Sequence, residues 1–211
     1  GVDVLIGGNG ADNLDGGADS DALYGEAGDD VLYGGTGFAT DILVAGDGND
    51  TLDGSASVAS GQTRNEGDYD FLYGEAGDDT YYVDTPADLT FEGAGGGTDS
   101  VIADINGGGY YLYANVENLT LIGNTPFGVG NELNNILTGS EQANWLLGGA
   151  GNDTLNGKGG FDVLFGQEGS DTFVFEHGTG GDVIGDFTAG TDKINLAAIG
   201  FNEDEVKAIA A

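Results

Sequence analysis

A nine-residue, glycine-rich repeat restricts what this chain can fold into more than any other feature of its sequence. The unit at residues 7–15 reads GGNGADNLD, with glycine at positions one, two and four, aspartate at position six and leucine at position eight. The frame recurs at once at residues 16–24 and 25–33. It returns later at residues 148–156, 157–165 and 166–174. Self-similarity at a short fixed period predicts a stack of repeated units rather than an ordinary globular core.

Each unit combines a turn with a short strand. Positions one to six are expected to form the turn, because glycine permits the positive φ angles that other residues resist. Positions seven to nine form the strand, and only position eight points inward, because strand side chains alternate faces. Two units then make one coil of about 18 residues, and stacked coils give two parallel sheets around a thin aliphatic core. The predicted fold is all-β, a right-handed parallel β-roll, with a short C-terminal helix that starts near Asn202 and Glu205.

The spacing of the units divides the chain into four segments. Residues 1–82 form a first block, with a polar insertion at 54–66 that is expected to bulge from the surface. Residues 83–129 lose the glycine frame but keep short β-prone runs, which predict degenerate rungs without calcium turns or, alternatively, a small separate β domain. Residues 130–174 form a second block, and residues 175–211 form closing strands and the helix. The inward position-eight residues predicted for the first block are Leu5, Leu14, Leu23, Leu32, Leu43, Leu52, Leu72 and Tyr81.

The charge of the chain excludes several classes of partner. Asp and Glu number 37 against 4 Lys and Arg, a net charge of -33. Binding nucleic acid needs clustered basic residues, and anionic membrane surfaces would repel this chain. No apolar run approaches the length of a membrane span, so we expect no membrane insertion, and we expect a monomer. A compact state with this charge repels itself unless counterions bind.

The repeated aspartates predict where those counterions bind. Turns of alternate units stack on the same side, so position-six carboxylates lie about one strand spacing, roughly 4.8 Å, apart. Carboxylates that close repel each other unless a cation lies between them. Together with turn carbonyls they form an all-oxygen site, which favours Ca²⁺ over the tighter octahedron of Mg²⁺. We expect the carbonyls of positions one and three to serve one ion, those of positions two and four the next, and the aspartate to bridge both, for roughly seven or more ions.

The predicted calcium ligands fall into two sets. The side-chain ligands are Asp3, Asp12, Asp21, Asp30, Asp41, Asp50, Asp70, Asp79, Asn144, Asp153, Asp162 and Asp171. The turn ligands are Gly7, Gly8, Asn9, Gly10, Gly16, Gly17, Ala18, Asp19, Gly25, Glu26, Ala27, Gly28, Gly34, Gly35, Thr36, Gly37, Ala45, Gly46, Asp47, Gly48, Gly74, Glu75, Ala76, Gly77, Gly148, Gly149, Ala150, Gly151, Gly157, Lys158, Gly159, Gly160, Gly166, Gln167, Glu168 and Gly169.

The stacking rule also predicts which side chains face each other. The facing pairs are Asp3 with Asp21, Asp12 with Asp30, Asp21 with Asp41, Asp30 with Asp50, Asp41 with Asp70, Asp50 with Asp79, and Asp153 with Asp171. Asn144 with Asp162 and Asn135 with Asp153 are expected to be weaker, because each has one charge fewer. The position-five residues Asp29, Asn49, Asp78 and Asn152 are expected to be solvated or to cap turns rather than to bind metal.

No catalytic constellation accompanies this pattern. The chain has a single histidine, His177, so neither an HExxH zinc helix nor a Ser–His–Asp triad can be assembled, and no GxSxG motif is present. The absence of cysteine rules out disulfides and thiolate metal sites. We therefore predict no catalytic residues. Because the chain begins within a repeat, we expect any catalytic domain of a parent protein to lie outside it.

The GGxGxDxUx units resemble those of the RTX (repeats-in-toxin) family, and the tail DVIGDFTAGTDKINL resembles the C-terminal regions of such proteins. Ala39, Ala45 and Asp19 depart from the glycine positions of the family pattern. The resemblance implies a calcium-binding parallel β-roll in a bacterial protein that the type I secretion machinery exports unfolded and that folds in external calcium.

Two other functions stay open at this stage. One is an accessory module of a secreted enzyme that binds an extracellular polysaccharide, and the other is an extender or anchor segment of a surface adhesin.

Overall fold

The stacked parallel architecture predicted from the repeat is confirmed. A computed structural model describes residues 1–36, 39–55, 69–176 and 180–197, and the described residues form twenty β-strands and no α-helix. The predicted C-terminal helix lies outside the described residues, as does the predicted insertion from residue 56 onward. The first two residues of that predicted insertion, Gly54 and Ser55, instead complete a strand. In the described part of the chain, no helix is long and apolar enough to cross a membrane.

Three sheets contain all the strands. The long sheet has ten strands: β2 (Asn13–Asp15), β4 (Val31–Gly35), β6 (Thr51–Ser55), β8 (Thr80–Val83), β10 (Ser100–Ala103), β12 (Asn118–Leu121), β14 (Ile136–Thr138), β16 (Thr154–Asn156), β18 (Thr172–Val174) and β20 (Lys193–Asn195). The N-terminal short sheet has five: β1 (Val4–Asn9), β3 (Ala22–Ala27), β5 (Ile42–Asp47), β7 (Phe71–Ala76) and β9 (Leu89–Phe91). The C-terminal short sheet has β11 (Gly109–Tyr111), β13 (Phe127–Val129), β15 (Trp145–Ala150), β17 (Val163–Glu168) and β19 (Val183–Ile184).

Strands alternate between the long sheet and a short sheet along the chain, and every strand pair is parallel. Leu5 pairs with Leu23, Leu23 with Leu43, and Leu43 with Leu72. The longer unit at residues 34–44 and the long connection before Phe71 therefore leave the register of the apolar residues intact. Because a shift of one residue would turn every inward side chain outward, the apolar frame fixes the pairing.

The core is thin, because each strand of the two facing sheets contributes only one or two inward side chains. Leu23, Leu32, Leu43, Leu52 and Leu72 have no exposed surface. Leu5 and Leu14 are only half-buried, because they lie on the first coil and have a neighbouring coil on one side only. The core continues through the middle and second block with Tyr81, Val101, Leu119, Leu137, Leu146, Leu155, Leu164 and Phe173.

Glycine is needed at position four where the turn adopts a positive φ and the neighbouring coil is close, as at Gly28, although Asp19 holds position four of its own unit at φ 74. Position two accepts other residues. Gly28 adopts φ +127, and a Cβ there would lie under 3.0 Å from the carbonyl oxygen of Gly10 on the neighbouring coil. Both conditions exclude a side chain. At position two, Glu26 adopts φ 77 and Lys158 adopts φ 66, angles in the left-handed region that ordinary residues can reach at some cost.

The strands of residues 83–129 lie in the same three sheets as the repeats. β10 and β12 pair in the long sheet between β8 and β14, so this sheet is continuous. On the other side, β9 ends one short sheet and β11 begins the next. The buried side chain of Tyr110 spans this break, and its hydroxyl donates a hydrogen bond to the carbonyl of Asp88 (3.0 Å).

Candidate metal centre

A ladder of hydrogen bonds joins the position-six residues of successive coils. The carboxylate Oδ1 of Asp50 accepts a hydrogen bond from the backbone N–H of Asp30 (2.7 Å), and Asp30 in turn accepts one from Asp12 (2.7 Å). The structure brings together every predicted facing pair in this way, including Asn144 with Asp162 and Asn135 with Asp153. The contact differs from the one expected, since one carboxylate oxygen of each pair binds a backbone N–H.

The second carboxylate oxygen is the chemically unusual atom. Across the described residues, the buried Oδ2 atoms of several position-six aspartates have no hydrogen-bond partner; they are those of Asp12, Asp21, Asp30, Asp50, Asp79, Asp153 and Asp162. A buried carboxylate oxygen without a donor or a cation is costly. Its repetition along the stack indicates that a cation completes the site.

Except for Asp50, whose unit begins with Ala45, these Oδ2 atoms lie beside the position-one glycine of their own unit. A Cβ built on Gly25 would lie under 3.0 Å from both Oδ2 of Asp30 and the carbonyl oxygen of Ala45 on the next coil. The same pair of oxygens, one carboxylate and one carbonyl, meets beside Gly16, Gly34 and Gly148. None of these glycines has a left-handed φ angle. Glycine at position one therefore leaves an oxygen-lined slot open rather than providing the turn angle that we expected to require it, although Ala45 shows that one coil accommodates a methyl group there.

Only some of the turn carbonyls lie at these slots. Position-one carbonyls, such as those of Ala45 and Gly34, lie at the slots. Position-three carbonyls of Ala27 and Asp47 accept hydrogen bonds from the backbone N–H groups of Gly10 and Gly28. Which carbonyls serve which ion stays a prediction, and Gly37 lies outside the described residues. An all-oxygen donor set of this kind fits a hard cation such as Ca²⁺.

The two asparagine units satisfy their own polar atoms. The Oδ1 of Asn144 accepts a hydrogen bond from the backbone N–H of Ser140 (2.6 Å), and its Nδ2 donates to the carbonyl of Thr125 (2.9 Å). Asn135 likewise accepts from Asn131 and donates to the carbonyl of Glu117. These amides have protein partners where the aspartates have an open oxygen, so the two units have less need of an ion.

The position-five residues form a second, solvent-exposed ladder. The backbone N–H of Asn49 donates to Oδ1 of Asp29 (2.9 Å), that of Asp78 donates to Asn49 (2.8 Å), and that of Ser170 donates to Asn152 (2.8 Å). Here the carboxylate or amide of the earlier coil receives the N–H of the later one, which is the reverse of the position-six ladder. These side chains cap turns between coils.

Sequence reasoning missed five further members of the position-six ladder. The backbone N–H of Asp79 donates to Oδ1 of Asp99 (2.8 Å), and that of Asp99 donates to Oε2 of Glu117 (2.8 Å). The other missed members are Asp88, Asp182 and Asp192. A signal was present, because each of these acidic residues stands two places before a strand residue that is in register with the core, as Asp99 does before Val101. Because the regular glycine frame is absent around these residues, that signal was missed.

Burial and mutual repulsion make these carboxylates weaker acids. Desolvation, followed by repulsion from neighbouring carboxylates, raises the pKa of Asp79 to about 7 and the pKa of Asp153 to about 6. Burial likewise raises the pKa of Asp162 to about 6, and it raises the pKa of Asp50 and of Asp171. The metal-free fold thus holds protons that an unfolded chain would release.

We expect protons and calcium to compete for these carboxylates. Since the folded pKa values exceed the ordinary value of 3.8, the metal-free fold loses stability as the pH rises from about 4 to about 7, and a bound cation offsets that loss. The β structure that remains in EDTA should therefore increase as the pH falls from 8 to 5, and calcium added to this protonated, folded form should release protons. Circular dichroism in EDTA at several pH values and the pH change of an unbuffered calcium titration test this. No gain of β structure at pH 5 relative to pH 8 would contradict it.

Comparison with protein families gives one match. The model of the RTX calcium-binding nonapeptide repeat (4 copies) matches residues 6–40, 36–57, 66–85, 129–164 and 147–184, which together cover more than half of the 211 residues. The matches leave out most of residues 83–129, where the glycine frame is lost. A search of curated proteins gives no match.

Proposed function

Because the chain belongs to the RTX family of calcium-binding nonapeptide repeats, we propose that it is a structural module that folds when Ca²⁺ fills the slots between its coils. The observation that carries this proposal is the repeated, buried and unpartnered Oδ2 atom beside a position-one glycine. One unpartnered carboxylate oxygen would be weak support for a metal site. The same atom recurs in register from coil to coil, which supports a row of cation-binding sites.

The charge of the chain supports the same function. At a net charge of -33, a metal-free roll would crowd its carboxylates along the turns. Roughly seven or more Ca²⁺ ions would cancel a large part of this charge. Extracellular calcium modules commonly bind with dissociation constants of about 10⁻⁴ to 10⁻³ M. We propose that the chain stays largely unfolded in calcium-poor cytosol, passes through type I secretion machinery and folds outside the cell. Folding there would also help to draw the chain outward.

Aromatic side chains near the end of the N-terminal short sheet stack between coils. The rings of Tyr73 and Phe91 stack with centroids 4.5 Å apart, and Phe71 stacks on Phe91 at 6.3 Å. These rings cover one another along the N-terminal short sheet, which aromatic residues do readily on a strand surface. No observation of this kind favours a polysaccharide ligand over the structural function.

Two adjacent aspartates offer a matched test of the proposal. Asp30→Asn removes the charged oxygen beside Gly25, whereas Asp29→Asn makes the same chemical change at an exposed position-five residue. We expect the wild-type chain to bind several ions in equilibrium dialysis at about 10⁻² M calcium. Asp30→Asn should bind at least one ion fewer and need several-fold more calcium to fold, while Asp29→Asn should resemble the wild type.

Two outcomes would refute the proposed function. One is a wild-type chain that binds no calcium under these conditions. The other is a pair of variants that bind the same number of ions with the same midpoint, because the buried oxygen would then have no special role.

A further inference from the structure

Three carboxylates converge at the place where the N-terminal short sheet ends. Ligand oxygens of Asp79, Glu92 and Asp99 all lie within 4.8 Å of one another. Asp79 ends the last turn of the first block, before β8, whereas Glu92 follows β9 and Asp99 precedes β10. Glu92 and Asp99 lie outside the residues that match the nonapeptide repeat, which stop at residue 85 in this part of the chain.

Strand register explains why Glu92 lies at the slot beside Gly74. At Gly25 the next coil presents Ala45, whose backbone carbonyl enters the slot. At Gly74 the residue in the same register is Glu92, since Tyr73 pairs with Phe91. A Cβ on Gly74 would lie under 3.0 Å from the hydroxyl oxygen of Tyr81, from Oδ2 of Asp79 and from Oε1 of Glu92. A charged side chain therefore occupies the place that a neutral carbonyl has in the other slots.

One oxygen of each carboxylate in this cluster is buried and free to bind a cation. Asp79 and Asp99 are each 1% exposed, and their Oδ2 atoms, with Oε2 of Glu92, have no hydrogen-bond partner among the described residues. Their other oxygens are engaged: Oδ1 of Asp79 and of Asp99 accept backbone N–H groups, and Oε1 of Glu92 accepts the hydroxyl of Tyr81. The cluster thus has three fixed oxygens left to share.

No cationic side chain is close to this cluster in sequence. The chain has no Lys or Arg between Arg64 and Lys158, and within the described residues Lys158 pairs with Glu176 at 3.0 Å. Desolvation, the largest cause, together with repulsion from neighbouring carboxylates raises the pKa of Glu92 to about 8 and that of Asp99 to about 6. Three carboxylates this near to one another need either protons or a divalent cation.

We propose that Asp79, Glu92 and Asp99 bind one Ca²⁺ more tightly than the nonapeptide slots do, at the junction where the repeats end. The inference rests on the proposed function and extends it to residues outside the repeat. Affinity for calcium rises with the number of charged ligands and with the rigidity of the site. This site has three carboxylates on two sheets, whereas a nonapeptide slot shows one carboxylate and one carbonyl. As the calcium concentration rises, this site binds its ion before the nonapeptide slots do, and on chelation it releases its ion last.

The test uses the full chain and calcium alone. At free calcium of about 10⁻⁵ M, most slots with millimolar affinity are empty, so equilibrium dialysis reports on the tightest site. The wild type should hold about one ion per chain under this condition. Glu92→Gln, which keeps an acceptor for the Tyr81 hydroxyl, should lower the affinity of the chain for that ion at least tenfold. Glu132→Gln removes the same charge at an exposed residue and should leave it unchanged.

A second variant separates ligand loss from misfolding. Asp99→Asn keeps the acceptor for the Asp79 N–H and should lower the affinity for the same ion. Circular dichroism at millimolar calcium shows whether each variant still folds. If Glu92→Gln and Glu132→Gln have the same midpoint within twofold, the inference is wrong, although the proposed function stands as long as the wild type binds ions at higher calcium. If the wild type binds none at any concentration, both fail.

Discussion

Chelation of calcium is expected to remove most of the β-sheet structure of this protein, and restoring calcium should bring it back. The core is thin, with one or two inward side chains from each strand, such as Leu23, Leu43 and Leu72, so each coil buries little apolar surface against the conformational entropy of about 18 residues. The buried carboxylate oxygens add an unfavourable contribution when no cation is present. Without the ions, neither the core nor the ladder can hold the coils together.

Far-UV circular dichroism in EDTA and in about 10⁻² M calcium measures this effect. Sodium chloride at matched ionic strength should restore little of the signal. Screening weakens repulsion between exposed charges, but it supplies no ligand to a buried oxygen. Magnesium at equal concentration should also restore less than calcium, because it requires a near-octahedral site and gives up its water reluctantly. Equal β content in EDTA and in calcium would mean that the roll stands without metal.

The strands and the core could be predicted because three frames coincide in the repeat. Glycine at position four, aspartate at position six and leucine at position eight each restrict the backbone, and together they fix register. Leu23, Leu32 and Leu43 are accordingly buried where the pattern placed them. Even Tyr110 and Leu119, in the stretch that lacks the glycine frame, lie on short β-prone runs that could be read from the sequence.

The details of the site could not be predicted, because they depend on which oxygen of a side chain meets which neighbour. The repeat places Asp30 near Asp50, but only the structure shows that Oδ1 of Asp50 accepts the Asp30 N–H and that Oδ2 stays open. Glu92 carries no sequence signal of a ligand. Its position in the slot beside Gly74 follows from the pairing of Tyr73 with Phe91.

The split of one side of the roll into two short sheets could not be predicted from the sequence either. Nothing in the periodicity distinguishes β9 from β11, and the break becomes visible only through the missing strand pairing. There the hydroxyl of Tyr110 binds the carbonyl of Asp88. A leucine at this position could not make that bond. A repeat pattern therefore predicts the stack well and its interruptions poorly.

Gly25→Ala is expected to weaken one calcium site and to destabilise the folded roll, because the contacts around Gly25 are closer than a methyl group allows, even though the coil of Ala45 accommodates one. The added methyl group would stand under 3.0 Å from Oδ2 of Asp30 and the carbonyl oxygen of Ala45, in the space where an ion would bind. Because φ of Gly25 lies outside the left-handed region, the backbone itself tolerates alanine. Overpacking alone typically costs about 1–3 kcal/mol, and the loss of a bound ion at saturating calcium adds to this.

Gly181→Ala is the matched control. Its φ is also outside the left-handed region, and its nearest neighbour is a side-chain carbon of Phe161 at 4.0 Å, an ordinary contact. Surface changes of this kind usually alter stability by less than about 0.5 kcal/mol. Urea unfolding in saturating calcium compares the stabilities, and equilibrium dialysis compares the ions bound per chain. If Gly25→Ala lowered stability but bound as many ions as Gly181→Ala, the slot would be a packing contact, and the metal would have to bind elsewhere on the turn.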